Sequence, residues 1–192
     1  QKVLYASKIK NDLVMFDKGE AKFEGRLSLK PEGMTGIGKI FIANGELLSY
    51  NYVLKHHTID ADTAEFKLRT VDLEEMGFRT ENVKAHVDFS TRKGEFKSNS
   101  GESFVEFPEN QYICYMDNFN WLIDDDDLEM EAKKKPQDMN LEAALDLTGS
   151  NFFSTHPKQD SLNFRSPKAK FDVRKKMLYC TGVEYVLVAD AR

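Results

Sequence analysis

The sequence predicts an all-β fold built from stacked antiparallel hairpins. Apolar and polar residues alternate with a period of two over many short segments, which is the pattern of strands with one buried face. Glycine and proline recur between these segments, and 14 Phe with 7 Tyr supply the bulky side chains that pleated sheets favour. Helical periodicity is scarce, so a mainly helical fold is excluded.

The clearest strand prediction covers residues 83–89, in which odd-numbered positions are apolar and even-numbered positions are polar. Residues 91–94 then predict a turn and residues 94–97 a second strand, so the three segments together predict a hairpin. The same alternation predicts three further strands, at residues 23–29, 64–68 and 128–132. Turn residues separate such runs: Pro31, Gly33, Gly36, Gly45, Gly77, Gly101 and Pro108.

One short helix is predicted at residues 140–145, where Asn140 can cap the first turn and Leu and Ala favour the helix. The polar segment before it contains Pro136 and predicts an exposed loop or a weak boundary near residues 133–140. Otherwise we predict a single β-rich domain over residues 1–192. The apolar strand predicted at residues 183–189 lies at the very end of the chain, so we expect a piece of a longer protein.

Composition narrows the possible partners. The net charge is −5 and the basic residues are scattered, so nucleic acid is not expected as a partner. No apolar stretch approaches the roughly 20 residues that cross a bilayer. Only two cysteines occur, Cys114 and Cys180, which excludes a disulfide framework and leaves open whether these two are bridged.

Two parts of the sequence resemble each other. Residues 84–89 are similar to residues 168–173, and each copy continues into a basic turn and then a strand carrying Phe96 or Tyr179. A weaker third copy aligns Ala64 with the first alanine of the other two. This spacing predicts one rung per 21 residues or so, a reasonable length for two strands and their turns. The alternative is that any amphipathic hairpin shows such a likeness.

The second copy carries a family resemblance. Residues 169–186 contain an Ala-x-Phe-Asp strand, a basic turn, a Leu-Tyr strand and then Thr-Gly-Val-Glu-Tyr-Val. This pattern resembles the repeats of the OstA/LptA-like lipopolysaccharide-transport proteins, and the likeness covers residues 59–96 and 164–190. It implies hairpins stacked into a folded-over β-jellyroll, or β-taco, and a lipid ligand. The loops near residues 70–77 and 133–140 depart from the family pattern and would interrupt a continuous lipid groove.

Two other segments, residues 112–117 and 149–157, resemble parts of large uncharacterised envelope proteins of Gram-negative bacteria. For those proteins the resemblance implies no chemistry.

Aromatic residues are densest between residues 104 and 121. Such rings can line a groove for acyl chains or sugars, or they can simply fill a core. As ligand-binding candidates we name the following four: Phe107, Tyr112, Phe119 and Trp121.

An acidic run, Asp124 to Asp127, is the most conspicuous cluster of charge. It predicts either a solvated turn between strands or a calcium site, although the spacing does not fit an EF-hand loop. His56 and His57 are adjacent, so in a strand they would point to opposite faces and could not share a metal ion. His86 and His156 are expected at the surface.

No nucleophile elbow, phosphate loop, zinc spacing or dinucleotide fingerprint occurs in the sequence. We therefore predict no enzyme activity, no catalytic residues, no metal and no cofactor.

Together these features predict either an open β-taco solenoid or a two-sheet jellyroll that serves as a structural or lipid-handling module. Its expected place is the periplasm or the outer membrane of a Gram-negative envelope. The expected partners are lipopolysaccharide or another amphiphile, and neighbouring repeats or partner strands that pair with its sheet edges. The alternative function is a secreted module that binds carbohydrate or peptide.

Overall fold

The fold is all-β, as predicted. A computed structural model of the chain describes residues 13–15, 21–71, 75–101, 103–132 and 149–188, and every regular element in those ranges is a strand. All pairings between them are antiparallel. The helix predicted at residues 140–145 and the boundary near residues 133–140 lie outside the described residues.

Strands β2 to β6 are long, with 10 to 13 residues each, and the other strands are short. They are β1 (Leu13–Met15), β2 (Ala21–Lys30), β3 (Gly33–Ile42), β4 (Gly45–Leu54), β5 (Thr58–Arg69), β6 (Met76–Asp88), β7 (Lys93–Ser98), β8 (Ser103–Phe107), β9 (Tyr112–Met116), β10 (Asn118–Leu122), β11 (Asp127–Glu131), β12 (Ser150–Ser154), β13 (Asn163–Ser166), β14 (Lys168–Asp172), β15 (Met177–Thr181) and β16 (Val186–Leu187).

The long strands β2 to β6 bend near their middles, along a line that we call the crease. Regular pairing is interrupted there in β4 at residues 50–51, in β5 at residues 62–63 and in β6 at residues 81–82. Asn82 takes a positive φ of 57° at the crease. Bulges of this kind bend a strand and increase its twist. The sheet therefore folds over on itself.

Glycines allow the crease to pass through β2 and β3. Gly25 and Gly38 face each other across this strand pair, and their φ angles are +157° and +146°. A Cβ atom on Gly25 would lie 2.1 Å from the carbonyl oxygen of Ile37, and one on Gly38 would lie 2.1 Å from that of Glu24. Only glycine fits so close to a neighbouring backbone. The predicted turn at Gly36 is wrong, because this glycine lies inside β3.

Beyond β6 the sheet divides into two half-sheets. The second part of β6 pairs with β7 and leads to half-sheet B, while its first part pairs with β8 and leads to half-sheet A. Half-sheet B continues through β10, β11, β14 and β15. Half-sheet A continues through β9, β12, β13 and β16. The chain alternates between them hairpin by hairpin and crosses the crease each time.

Buried hydroxyl groups satisfy main-chain carbonyls along the crease. Ser49 Oγ donates to Thr63 O at 2.7 Å, and Thr80 Oγ donates to Phe104 O at 2.7 Å. Ser166 Oγ lies 2.7 Å from Lys168 O and 2.8 Å from Thr181 O, so its proton can serve either carbonyl. Small polar side chains thus replace the sheet hydrogen bonds that are lost where strands bend or end.

Four hairpin turns stack in register, namely those after β4, β6, β10 and β14. Phe89 N donates to His57 O, Ile123 N to Arg92 O and Val173 N to Asp126 O, at 2.9, 3.1 and 3.0 Å. Each donor is the first residue of its turn and has a buried side chain. Each acceptor belongs to the preceding turn in the stack. The same hydrogen bond between successive turns is therefore repeated three times. We call the edge of the folded sheet that these turns form a rim.

This register corrects the predicted repeat. Ala85 pairs with Ala61, and Ala64 lies on the other side of the crease, so the 21-residue period is wrong. Within the two similar hairpins Ala85 faces Phe96 and Ala169 faces Cys180, which makes Cys180 the counterpart of Phe96. Of the predicted strand at residues 183–189, the described residues 183–188 contain only the short strand β16.

Candidate functional site

The interior between the half-sheets is filled with aromatic rings. The Phe66 ring stacks on Phe96 with centroids 4.0 Å apart, and it also lies 5.3 Å from the Trp121 ring. Farther along, Phe107 of half-sheet A meets Phe171 of half-sheet B at 5.4 Å. These contacts join opposite halves of the folded sheet. They belong to one continuous core of buried residues.

Three of the four ligand-binding candidates belong to this core. Phe107, Phe119 and Trp121 are each 0% exposed, so their rings fill the interior and present no surface to a ligand. Tyr112 is only partly buried and lies at the end of the interior near β13. Its ring is 5.9 Å from Phe164, and its hydroxyl lies 3.3 Å from Gln159 Oε1. Burial raises the pKa of Tyr112 above its usual value.

Glycines near the starts of β4 and β6 let large rings of half-sheet B approach the backbone of these long strands. A Cβ atom on Gly45 would lie 2.5 Å from the Trp121 ring, and one on Gly77 would lie 3.0 Å from the Phe171 ring. A side chain at either position would push the rings away. The two rims therefore meet through ring-to-backbone contacts.

Polar groups also join the rims. Lys176 Nζ, in the turn after β14, lies 2.6 Å from the Glu75 carboxylate, which belongs to the opposite rim. The Asn110 side chain donates to Lys176 O at 3.0 Å. Because the ion pair is exposed, we expect it to add little stability. It connects the turn after β14 to the residue that precedes β6, and so links the two edges of the folded sheet.

The interior opens at the end formed by β13, β15 and β16. Leu178, Cys180 and Phe164 pack on the core, yet they are only partly buried, in contrast to Phe171 one strand earlier. We call these three residues the open end. Here apolar side chains of both half-sheets reach solvent together.

The two cysteines are free thiols on opposite half-sheets. Burial raises the pKa of Cys180 to about 12. Burial also raises the pKa of Cys114 well above its usual value, and the neighbouring Cys180 adds to this shift. Because the thiolate is the reactive form, both groups are poor nucleophiles in this state.

The acidic run is an acidic turn between two basic ones. Asp124 pairs with Arg92 of the preceding turn at 3.0 Å, and Asp126 pairs with Arg174 of the following turn at 2.7 Å. Asp127 pairs with Lys170 at 2.6 Å. Neighbouring side chains thus supply the positive charge that a calcium ion would bring. Within the described ranges no group of three or more His, Cys, Asp and Glu side chains could hold a metal ion.

His56 and His57 lie in the turn between β4 and β5, so the prediction that they point to opposite faces of a strand is wrong. Their ring nitrogens Nδ1 and Nε2 are 2.7 Å apart. His86 is on the outer face, as predicted, and its Nδ1 lies 2.6 Å from Asp60 Oδ1. Partial burial opposes ionisation of Asp60, but hydrogen bonds from His86 and Lys55 outweigh it and lower the pKa of Asp60.

Sequence reasoning missed a patch of exposed rings on the outer face of half-sheet A. The aromatic patch consists of Phe104, Tyr115 and Phe153, of which Tyr115 is 43% and Phe153 37% exposed. The Phe104 and Tyr115 rings meet edge to face at 5.8 Å. A usable signal was present, since β8, β9 and β12 carry apolar residues on both faces, whereas most strands of half-sheet B alternate apolar with polar.

No family model matches the chain, and neither does any curated protein. The resemblance to OstA/LptA-like repeats therefore depends on the motif residues alone. Among the described residues, none forms a helix with the length and apolar character needed to cross a membrane.

Proposed function

We propose that the chain is a non-catalytic structural or lipid-handling module of the Gram-negative cell envelope, in the periplasm or at the outer membrane. One observation carries the proposal. The apolar interior is sealed by rings through most of its length and becomes accessible at the open end. The open end is a place where the module could receive an apolar ligand or a further layer of sheet.

Strand addition is the structural part of the proposal. Among the described strands β15 is the last of half-sheet B and β16 that of half-sheet A, and we expect another strand to pair along β15. Met177 and Tyr179 of β15 are exposed beside this edge. A neighbouring repeat or a partner's edge strand would gain backbone hydrogen bonds and cover Leu178 and Cys180.

Lipid handling is the ligand-binding part. An acyl chain of lipopolysaccharide or another amphiphile would contact Leu178, Cys180 and Phe164, with Tyr112 beside it. Deeper entry would require Phe107 and Phe171 to separate, since they are fully buried against each other. Binding is therefore confined to the open end unless the half-sheets move apart.

Native mass spectrometry with added lipopolysaccharide or phospholipid tests this part. The wild-type chain should carry one bound amphiphile, and Leu178→Asp should lose it because a charge then lies at the open end. Tyr50→Asp is the matched control, since Tyr50 is 78% exposed and lies far along the sheet in β4. The control should bind as the wild type does.

A wild-type chain without any adduct would remove the lipid-handling part and leave strand addition. An adduct that survives Leu178→Asp would show that the open end is not the binding site.

The aromatic patch favours a second candidate function, which is binding of carbohydrate on the outer face of half-sheet A. Exposed rings with polar neighbours suit the apolar faces and hydroxyl groups of a sugar. Here Arg165 Nε donates to Asn151 Oδ1 at 2.9 Å beside the rings, and Arg79 pairs with Glu106 nearby.

Affinity electrophoresis in gels containing soluble polysaccharides tests this candidate. Retardation that disappears in Tyr115→Ala and persists in Tyr50→Ala would support it. Equal mobility of wild type and Tyr115→Ala in every gel would exclude the aromatic patch as a sugar site.

A further inference from the structure

The turn between β4 and β5 presents two adjacent histidines in a fixed backbone. Lys55 N donates to Thr58 O at 3.0 Å, which closes the turn, and Phe89 N donates to His57 O at 2.9 Å, which attaches it to the next rung. Both imidazole rings are exposed. A rigid backbone holding two accessible ring nitrogens is the starting point of a metal site.

The distance between the two nitrogens limits which ions fit. Nδ1 of His56 and Nε2 of His57 are 2.7 Å apart, with ring centroids 4.0 Å apart and ring planes at 77°. At the usual metal–nitrogen length of roughly 2.0–2.1 Å, nitrogens this close subtend about 80° at the ion. That value is near the right angle of tetragonal coordination and well below the tetrahedral angle.

We propose that His56 and His57 form a two-nitrogen site for a divalent transition-metal ion of the copper or nickel class. Square-planar and tetragonal sites of nitrogen and oxygen ligands are typical of Cu²⁺ and Ni²⁺, and Cu²⁺ is the most tightly held of the first-row divalent ions. Zinc prefers the wider tetrahedral angle. Water completes the coordination shell. The site lies far from the open end along the sheet and is independent of the function proposed above.

Binding needs both facing nitrogens to offer a lone pair. One of them carries a ring proton when the pair is hydrogen-bonded, and that proton moves to the other nitrogen of the same ring. Each ring must then turn away from its partner nitrogen so that both lone pairs point at one ion. Lys55, the residue before the pair, is bound to Asp60 Oδ2 at 3.0 Å, so its charge is partly balanced.

Titration of the chain with Cu²⁺ tests the proposal, with the N-terminal amine acetylated to remove a competing ligand. The wild type should bind one Cu²⁺ and give an electron paramagnetic resonance spectrum with two equatorial nitrogens. His56→Ala and His57→Ala should each weaken binding by at least about tenfold and lose the two-nitrogen spectrum. The variants should keep the wild-type circular dichroism, because both side chains are on the surface.

His86→Ala and His156→Ala are the matched controls and should bind Cu²⁺ as the wild type does. Competition should rank Cu²⁺ above Ni²⁺ and Ni²⁺ above Zn²⁺. Unchanged affinity and spectrum in His56→Ala would overturn the proposal, as would loss of binding in a control variant alone. Tighter binding of Zn²⁺ than of Cu²⁺ would overturn the tetragonal geometry.

Discussion

The two regions of this molecule cross the same crease in different ways. In β2 to β6 each strand runs through the crease and serves both halves of the sheet, which requires glycines at close backbone contacts and bulges elsewhere. In the region after β6 the strands stop at the crease, and connecting residues such as Asp117 and Pro167 carry the chain across. Short hairpins thus reproduce the shape that long bent strands establish.

This difference has an energetic consequence. The region of long strands, β2 to β6, which we call the continuous region, depends on backbone conformation at a few positions. A side chain on Gly25 or Gly38 would collide with main-chain atoms. The region of short strands after β6, which we call the split region, depends on side chains. One of them is the Ser166 hydroxyl, which donates to a main-chain carbonyl where strands end. The two regions share one core, since Phe66 of β5 stacks on Phe96 of β7.

Loss of the shared core should have the largest effect. Phe66→Ala should lower the free energy of unfolding by about 3–5 kcal/mol, because the ring contacts both regions and is fully buried. Urea unfolding followed by circular dichroism measures this loss, and both regions should still unfold in one transition. Phe153→Ala, on the outer face, should lose less than about 1 kcal/mol. Two separate unfolding transitions in the wild type would show that the two regions do not share one core.

The crease glycines should come next. Gly38→Ala should cost about 3 kcal/mol, since the added methyl meets a main-chain carbonyl at a strained φ. Gly101→Ala is the matched change in the split region, because Gly101 has a φ of +93° but nothing within 4 Å. It should cost about 1 kcal/mol from backbone strain alone. Equal losses in urea unfolding would contradict the difference between the regions.

A smaller effect is expected at the crease hydroxyls. Ser166→Ala should cost about 1–2 kcal/mol, because it removes a buried hydroxyl that donates to Lys168 O or Thr181 O. Thermal and urea unfolding should agree on the value. Ser28→Ala, in β2, should change stability by less than about 0.5 kcal/mol. A neutral Ser166→Ala would mean that the hydroxyls do not support the crossings.

The smallest effect concerns pH. The pKa of Asp60 is lowered in the folded state, so its ionised form stabilises the fold above the unfolded value of about 3.9, and this stability is lost as the pH falls through the folded value. Asp60→Asn should therefore reduce the loss of unfolding free energy at acid pH. The reduction should be less than about 1 kcal/mol, since the group is partly exposed. An identical loss of unfolding free energy on acidification in the wild type and in Asp60→Asn would contradict the His86 contact.

Period-two alternation was enough to predict the fold class and the hairpin at residues 83–97, because each strand has one face in the core. The same rule could not place the crease. Gly36 predicts a turn by residue type, yet it lies inside β3, where Gly25 and Gly38 bend the sheet without ending a strand. Such a bend leaves the alternation on either side intact.

The candidate site was harder to predict for a related reason. Alternation shows that two faces differ, but it does not show what covers each face. Phe107 and Phe119 therefore entered the list of ligand-binding candidates although they fill the core, and Tyr115 did not although it is exposed. The histidine pair was misread because His56 and His57 were assigned to a strand, while Lys55 N and Thr58 O close a turn around them.

Nuclear Overhauser contacts between aromatic rings test the folded sheet most directly. With ring centroids 5.4 Å apart, Phe107 of half-sheet A and Phe171 of half-sheet B should give cross-peaks in a selectively labelled sample, as should Phe66 and Phe96 at 4.0 Å. Cross-peaks confined to neighbouring strands, such as those joining Phe152 to Phe164, with none between the half-sheets, would contradict it.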